Sequence, residues 1–286
     1  TSLPKPRNFP YTITLAIIQM TKNEVDTILN SIGYYDSFKK MMNEPYLDID
    51  YGKRLGVISF DSIFDADKKY RFNGEIEIEQ FQDWNTILNS KDVTDEELLI
   101  VCLKIFDWGN VLTGNVKSVV TLYEQKNLRE YLKTITELLK VDKTLKKSDF
   151  ENKNILWSSG WTKVYSFINP NILIYDSRVS AFLNFTLIKN FNNLSKEQKE
   201  DFYKLSNGLF NFSGALGRER KVSNSYKFKN QHPNGINGFN ANLISSWITQ
   251  CIQERLGINE SIRSFERAFF MLGFDLKQIK TIANTA

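Results

Sequence analysis

The sequence has little of what metal-dependent and cofactor-dependent chemistry requires. It contains one histidine and two cysteines. It therefore lacks the His pair of a zinc hydrolase or an HNH-type nuclease and the four cysteine ligands of an iron-sulfur cluster. The single histidine, His232, stands in a loop of Asn, Pro and Gly. No GxxxxGK[ST] phosphate loop or GxGxxG dinucleotide fingerprint occurs. We therefore expect chemistry that uses no metal and no cofactor.

Long apolar runs are also missing. No run approaches the roughly 20 residues that a membrane-spanning helix needs, and the start of the chain has no signal-peptide pattern. These two observations favour a cytoplasmic protein without a membrane partner. Cys102 and Cys251 lie on the apolar faces of predicted helices, which predicts buried free thiols rather than a disulfide. Residues 1–10 form a polar, proline-bearing tail.

An excess of charge of one sign is nearly absent. Thirty-seven basic residues against thirty-three acidic residues give a net charge of +4. This excess is a weak argument for nucleic acid, because affinity for phosphates depends on local clustering of charge. The basic run at residues 217–221, together with Lys227 and Lys229, is either a DNA-facing strip or a solvated surface loop.

Hydrophobic periodicity predicts a mainly α fold with a small N-terminal α/β part. Alternating apolar and polar residues at 54–64 and 69–81 predict a short antiparallel hairpin or sheet. Helical spacing predicts helices at 23–35, 94–106, 115–124, 128–139, 161–167, 177–189, 196–205, 240–256 and 261–272. We divide the chain into an N-terminal α/β part (1–90), a helical domain (91–215) and C-terminal helices that complete a cleft (216–286).

The most informative stretch of the chain covers residues 155–183. A turn at Ser158-Ser159-Gly160 precedes a predicted helix, and Asn169-Pro170-Asn171 ends that helix. The apolar residues 172–175 lead directly to Asp176, which stands where a helix N-cap belongs. Such crowding of special residue types suggests a functional site.

This stretch resembles the core of the helix-hairpin-helix DNA glycosylases, and in particular the 8-oxoguanine glycosylase branch. The family's GxGTKV motif has its counterpart in residues 158–164 (SSGWTKV), and its VPVDxH motif has its counterpart in residues 173–178 (LIYDSR). Residues 112–119 (LTGNVKSV) resemble the asparagine-bearing loop NNIxRI. The resemblance covers roughly residues 96–189, about a third of the chain. It implies a helix-hairpin-helix body.

The resemblance implies that Asp176 is the catalytic carboxylate and that Lys163 is a candidate nucleophile. If the Lys163 amine attacks the sugar, the enzyme also nicks the strand; otherwise water attacks and leaves an abasic site. The family's first hairpin glycine is replaced by Ser158, and the extra residue Trp161 changes the spacing. Without a gap, Thr162 would take the lysine position and Lys163 would point about 100° away around the helix.

The resemblance also implies a DNA-binding set and a base pocket. Gly114 and Asn115 would enter the gap that an extruded base leaves. The backbone at Ser159 and Gly160 would grip a phosphate, with Lys153 and Arg178 nearby; Arg178 stands where the family usually has histidine. The residues expected to hold the base are aromatic, namely Trp157, Trp161, Tyr165 and Phe269.

The function that these features favour is excision of a damaged or modified base from double-stranded DNA by a monomeric enzyme. Excision of modified bases from invading phage DNA is a narrower hypothesis of the same kind. Two other classes stay open. The chain could be a catalytically inactive helix-hairpin-helix module that binds DNA, or a protein-interaction domain.

Overall fold

The computed structural model describes residues 20–53, 55–71, 78–140, 147–150, 153–214, 217–230 and 235–279. These residues confirm a mainly α fold with a small antiparallel sheet. The helices are α1 (Lys22–Ser31), α2 (Tyr34–Met42), α3 (Ile63–Lys68), α4 (Ile78–Asn89), α5 (Asp95–Trp108), α6 (Asn115–Glu124), α7 (Leu128–Leu138), α8 (Ser159–Ile168), α9 (Ser177–Ile188), α10 (Lys196–Ser206), α11 (Gly235–Leu256) and α12 (Ile262–Leu272). Strands β1 (Tyr46–Asp50) and β2 (Val57–Phe60) pair antiparallel, and β3 (Phe210–Asn211) and β4 (Lys229–Asn230) pair parallel.

The helices predicted from residue 94 onward are confirmed, with small shifts at their ends. The first residues of these helices can be predicted from the sequence because local capping residues fix them. At the start of α5, the Thr94 side chain accepts the Glu97 amide while the Glu97 carboxylate accepts the Thr94 amide. Ser195 and Gln198 form the same reciprocal pair at the start of α10. Helix α11 begins five residues earlier than predicted, at Gly235.

The N-terminal predictions needed correction. The predicted helix at 23–35 is interrupted after Ser31, because Gly33 adopts a left-handed φ of 65° and serves as the N-cap of α2. Helices α2, α3 and α4 were not predicted. Ser62 caps α3 by accepting the Asp65 amide, which ends the predicted strand at 54–64 before its last residues.

The predicted pairing of a strand at 54–64 with one at 69–81 needed correction in the residues that the structure describes. The strand that pairs with β2 is β1, upstream in the chain, and the register between them shifts between Tyr46 and Ile49. Asp48 lies in this irregularity with a φ of 55°. Because of it, two buried residues stand three positions apart, which hides the strand's alternation. Part of the predicted strand, residues 78–81, belongs to α4. Residues 1–10, Arg54, residues 72–77 and His232 lie outside the described residues.

Helices from all three predicted parts contribute to one hydrophobic core. Helix α12 packs against α3 and α9, and α1 packs against α11. Cys102 and Cys251 are buried free thiols, as predicted. None of the described helices combines the length and apolarity that crossing a membrane requires.

A buried extended segment, residues 172–175, carries the chain through this core to Asp176. The segment belongs to no sheet, and side chains bond three of its backbone polar groups. Leu173 donates its amide to Ser246 Oγ, and its carbonyl accepts from Asn242 Nδ2 at 2.6 Å. Ile174 donates its amide to Glu266 Oε2 at 2.9 Å. Helices α11 and α12 therefore fix the position of the segment that ends at Asp176.

Candidate active site

A cavity of about 570 Å³ opens beside the start of α9. We call it the central cavity. Its walls come from six parts of the chain that are distant in sequence. Its lining residues are Tyr70, Trp108, Gly109, Asn110, Val111, Trp157, Ser158, Ser159, Lys163, Ile174, Asp176, Ser177, Arg178, Val179, Phe212, Ser213, Arg220, Glu266 and Phe270. Five residues singled out from the sequence meet here: Trp157, Ser159, Lys163, Asp176 and Arg178.

Asp176 is the N-cap of α9, as its sequence position predicts. Its Oδ1 accepts the backbone amides of Arg178 and Val179, each at 2.9 Å. Its Oδ2 accepts no hydrogen bond from the part of the chain that the structure describes. The carboxylate is therefore oriented through one oxygen, while the residue borders the central cavity.

Lys163 lies on α8 with 5 % of its surface exposed, and it borders the same cavity. Its Nζ donates to the Ser159 carbonyl at 3.1 Å. It forms no salt bridge within the described ranges. Thr162, the alternative occupant of this position, is fully buried, donates to the same Ser159 carbonyl and does not line the central cavity. The lysine, and not the threonine, thus shares a cavity with Asp176.

Burial lowers the pKa of Lys163 below its usual value, because water no longer solvates the ammonium ion. The carboxylates of Asp176 and Glu266 act in the opposite direction but do not cancel the effect of burial. A larger fraction of this amine is therefore neutral at a given pH than in an exposed lysine. Only a neutral amine is a nucleophile.

The Lys163 side chain runs directly against Gly109, the C-cap residue of α5. A Cβ at Gly109 would lie 2.5 Å from both Cδ and Cε of Lys163. The backbone of Gly109 has a φ of −71°, which any residue adopts. The glycine is therefore required by the close approach of the lysine and not by its own conformation.

Glu266 on α12 is buried and links three elements near the lysine. Its carboxylate accepts two hydrogen bonds from Arg263 Nη1, at 2.6 and 2.8 Å, in addition to the Ile174 amide. Arg263 also donates to Ser166 on α8. Because its carboxylate is paired in this way, Glu266 anchors the segment before Asp176 to the helix that bears Lys163.

Arg178 borders the central cavity, as does a second arginine, Arg220. Its guanidinium carbon lies 4.1 Å from the centre of the Phe270 ring and 4.9 Å from that of Phe274. Burial lowers the pKa of Arg178 to about 10, against the opposing effect of Asp176. The aromatic contacts hold the cation in place while leaving it without a carboxylate partner in the described structure.

A second cavity of about 610 Å³ adjoins the first. We call it the loop groove. Its lining residues are those of the loop and helix start at 110–115, with Ser118, Leu156, Trp157, Ser158, Ser159 and Trp161. Gly114 lies here in the open, with a φ of 80°. Leu112 is 42 % exposed at the same loop.

Asn115 is not available to fill a gap in DNA. It is 7 % exposed, its Nδ2 donates to the Val111 carbonyl, and its Oδ1 accepts from Ser158 Oγ at 2.6 Å. A Cβ at Gly160 would lie 2.3 Å from Asn115 Nδ2. Asn115 therefore links the loop to the start of α8, and its predicted role is corrected accordingly.

The turn before α8 is capped from within. Ser158 Oγ accepts the backbone amides of Gly160 and Trp161 at 3.2 and 3.1 Å. These amides therefore do not project toward a phosphate, which corrects the predicted role of Gly160. Ser159 borders both cavities. Lys153 is exposed and lines neither of them.

Three of the four aromatic residues predicted for the base pocket are core residues instead. Trp161 is 2 % exposed and donates its indole N–H to Ser118 Oγ at 3.0 Å. Tyr165 is fully buried and bonds the Leu156 carbonyl and the Tyr131 hydroxyl. Phe269 is fully buried and lies 5.3 Å from Phe182, centre to centre. Trp157 alone of the four borders the central cavity, where Gly238 packs against its ring.

The sequence reasoning missed several cavity residues, among them Glu266, Tyr70 and Gly109. Arg220 belongs to the basic run at 217–221, for which the sequence left a DNA-facing strip and a solvated loop open; it is buried and borders the central cavity. A signal existed for Glu266, since it is an acidic residue on the apolar face of α12, between Ile262 and Phe269. Nothing local marks Tyr70 or Gly109, because their place in the cavity depends on contacts with distant segments. Comparison of the chain with protein-family models, curated proteins and solved structures found no match.

Replacing Lys163 by Met is expected to stabilise the protein at neutral pH by about 1 kcal/mol. The pKa of Lys163 is 10.5 in the unfolded chain and lower in the folded protein. At any pH between the folded-state pKa and 10.5, the unfolded chain therefore binds more protons than the folded chain. The free energy of unfolding of the unsubstituted protein therefore rises with pH across this window, and the penalty of burying the amine disappears above it. Lys163→Met removes this dependence.

The measurement is denaturant unfolding of both proteins across the alkaline range. The buried tyrosines titrate in both proteins, so their contribution cancels in the difference. The difference should be largest below the lowered pKa and vanish as pH approaches 10.5. Parallel curves, or a variant less stable than the parent at neutral pH, would show that the amine is not buried as described.

Proposed function

We propose that the chain is a DNA glycosylase that excises a modified or damaged base and uses Lys163 as its nucleophile. One observation carries the proposal: a buried lysine without a carboxylate partner in the described structure shares a cavity with Asp176. A buried amine of this kind costs stability when it is charged. A buried amine whose pKa is lowered and which borders a cavity is typical of catalytic sites.

In the proposed reaction the neutral Lys163 amine forms a bond to C1′ of the extruded nucleotide while the C1′–N bond to the base breaks. The base leaves with the bonding electron pair and takes up a proton from water. The new secondary ammonium loses a proton to Asp176. The C1′–O4′ bond of the sugar ring then breaks, O4′ takes up that proton, and C1′ and Nζ form a protonated Schiff base. Asp176 stabilises the positive charge that builds on the sugar during bond breaking and accepts the proton that the amine loses.

The walls of the central cavity suit a flipped base. The rings of Trp157, Phe212, Tyr70 and Phe270 border it. Trp157 and Phe212 lie with ring centres 6.2 Å apart and an interplanar angle of 31°. Aromatic faces stack on extruded bases with about 1–3 kcal/mol per base. Which base is excised depends on contacts of its edge with these walls, so the proposal names the reaction and not the particular base.

Leu112 is our candidate for the side chain that enters the duplex. It is one of the exposed large hydrophobic residues among those described, and it stands on the loop between α5 and α6, where it lines the loop groove. Apolar side chains at such positions insert between base steps and replace stacking that is lost. Leu112 takes over the role first predicted for Asn115, three positions along the same loop.

Gly109→Ala is expected to slow base excision by about 10²-fold while leaving the fold intact. The added methyl group would lie 2.5 Å from Lys163 Cδ and Cε, so the flexible outer part of the lysine must move. A displacement of about 1 Å at a reacting group lowers the rate of the chemical step by about 10²-fold. The measurement is the single-turnover rate of base release, with the melting temperature taken in parallel.

The control for this prediction is a double-mutant cycle with Lys163→Ala. Removing the outer side chain removes the clash, so Gly109→Ala should change the stability of the Lys163→Ala protein by less than it changes that of the parent. If the glycine substitution has equal effects on stability in both backgrounds, the contact does not position the lysine.

The proposed function is tested by incubating the protein with a panel of duplexes that each carry one modified base. Alkali-labile sites should appear at the modified base in at least one duplex. An inactive DNA-binding module would bind the duplexes in a salt-sensitive way and produce no such sites. A protein-interaction domain would show no DNA affinity at moderate salt. Either of these outcomes would remove the enzyme proposal.

A further inference from the structure

Arg220 lies between the central cavity and a third, smaller cavity. This outer cleft has a volume of about 350 Å³. Its lining residues are Ser213, Gly214, Arg218, Glu219, Arg220, Lys221 and Lys277. Ser213 and Arg220 border both the outer cleft and the central cavity. The two cavities therefore adjoin at these two residues.

Arg220 is more than nine-tenths buried, with 8 % of its surface exposed, yet its charge is not neutralised by a close partner. Its Nε donates to the Phe274 carbonyl at 3.3 Å, and its Nη1 donates to Ser177 Oγ at 2.5 Å. Its other N–H groups have no hydrogen-bond acceptor, and it forms no salt bridge, among the residues that the structure describes. The two bonds it makes hold the guanidinium in one orientation.

Two carboxylates attract Arg220 from farther away. Burial lowers its pKa, and Asp176 and Asp275 act against that effect. Asp275 is itself occupied, since its Oδ1 accepts the amides of Glu219 and Lys277. Asp176 is bound to the start of α9. Leaving a buried guanidinium without a paired anion is costly, and an anionic ligand would remove that cost.

The residues around the outer cleft share the same sign of charge. Four cations line it, namely Arg218, Arg220, Lys221 and Lys277, against the single carboxylate of Glu219. The Arg218 guanidinium stacks on Phe274 at 4.0 Å from the ring centre, which fixes it beside Arg220. Guanidinium groups held in this way match the geometry of phosphate oxygens.

We propose that Arg220 and the outer cleft bind a backbone phosphate of the DNA strand next to the extruded nucleotide. This inference rests on the proposed function, because the base in the central cavity is what brings the adjoining phosphate to Arg220. The amides at Gly160 are capped by Ser158, so the outer cleft supplies the phosphate contact that the turn does not provide.

The salt dependence of DNA binding tests the proposal. Each phosphate contact contributes about −0.9 to the slope of log affinity against log salt concentration. Arg220→Met should reduce the magnitude of the slope by about 1, and Arg218→Met combined with Lys277→Met should reduce it by about 1 to 2. The matched control is Arg129→Met, since Arg129 is paired with Asp95 and lines none of the three cavities. It should leave the slope unchanged.

The probe is a duplex with one mispaired nucleotide that can be extruded and whose 2′-fluoro sugar prevents cleavage of the glycosidic bond, so binding with a base in the central cavity is measured apart from catalysis. If Arg220→Met fails to fold, the double variant of the half-buried Arg218 and the exposed Lys277 (Arg218→Met with Lys277→Met) decides the question. An unchanged slope in both overturns the phosphate site even if the protein releases bases. A reduced slope in a protein that releases no base from any duplex keeps the phosphate site and removes the glycosylase proposal. A protein that binds no DNA removes both.

Discussion

An Asp176→Asn variant is expected to release its base about 10³-fold more slowly than the unsubstituted protein, with unchanged stability. Removing one electrostatic stabiliser of a charged transition state costs about 10²- to 10³-fold, and loss of a general base costs a similar amount. Because Asp176 has both roles, we expect a loss of rate at the upper end of this range, about 10³-fold. The measurement is the single-turnover rate of excision on the preferred duplex.

The substitution is informative because asparagine is as good an N-cap as aspartate. Its Oδ1 can accept the same two amides of Arg178 and Val179 that Asp176 accepts. The helix start is thus preserved while the charge is removed. Asp36→Asn, in the exposed first turn of α2, is the matched control for loss of a carboxylate and should excise at the normal rate. Unimpaired excision by Asp176→Asn would mean that this carboxylate is not catalytic.

Lys163→Met is expected to abolish the covalent adduct that forms when borohydride is added during turnover. The unsubstituted protein should be trapped on any duplex from which it removes a base, because reduction of the Schiff base joins Nζ to the sugar. Methionine fills a similar volume without an amine, so the fold should be kept. The adduct is detected as a protein–DNA species that survives denaturation.

Lys153→Met is the control for the trapping experiment, since Lys153 is exposed and lies outside the cavities. It should form the adduct normally. An adduct that persists in Lys163→Met would identify another amine as the nucleophile. Base release without any adduct in the unsubstituted protein would mean that water attacks, and Lys163 would then have only an electrostatic role.

Much of the site's backbone could be predicted from the sequence, because local chemistry determines it. The turn before α8, the break at Pro170 and the N-cap at Asp176 each depend on neighbouring residues only. Their placement did not require knowledge of the rest of the chain. The small sheet was harder, since the irregularity at Asp48 hides the alternation of β1 and since Gly33 divides what reads as one helix.

The lining of the cavity could not be predicted in the same way. Trp157 and Trp161 are four residues apart, yet one borders the central cavity and the other lies in the core. An aromatic residue at helical spacing has the same local signal in both cases. Gly109 and Glu266 belong to the site because of their contacts with α8 and with residue 174, which lie far away in sequence. Only the packing of distant segments reveals them.

The most direct test of the account is to look for the free base itself. Duplexes that carry different modified bases are incubated with the protein, and the low-molecular-weight fraction is analysed by mass spectrometry. We expect one modified base to appear in solution, in amounts equal to the abasic or nicked sites formed. If the folded protein binds these duplexes and frees no base from any of them, the central cavity does not catalyse cleavage of a glycosidic bond.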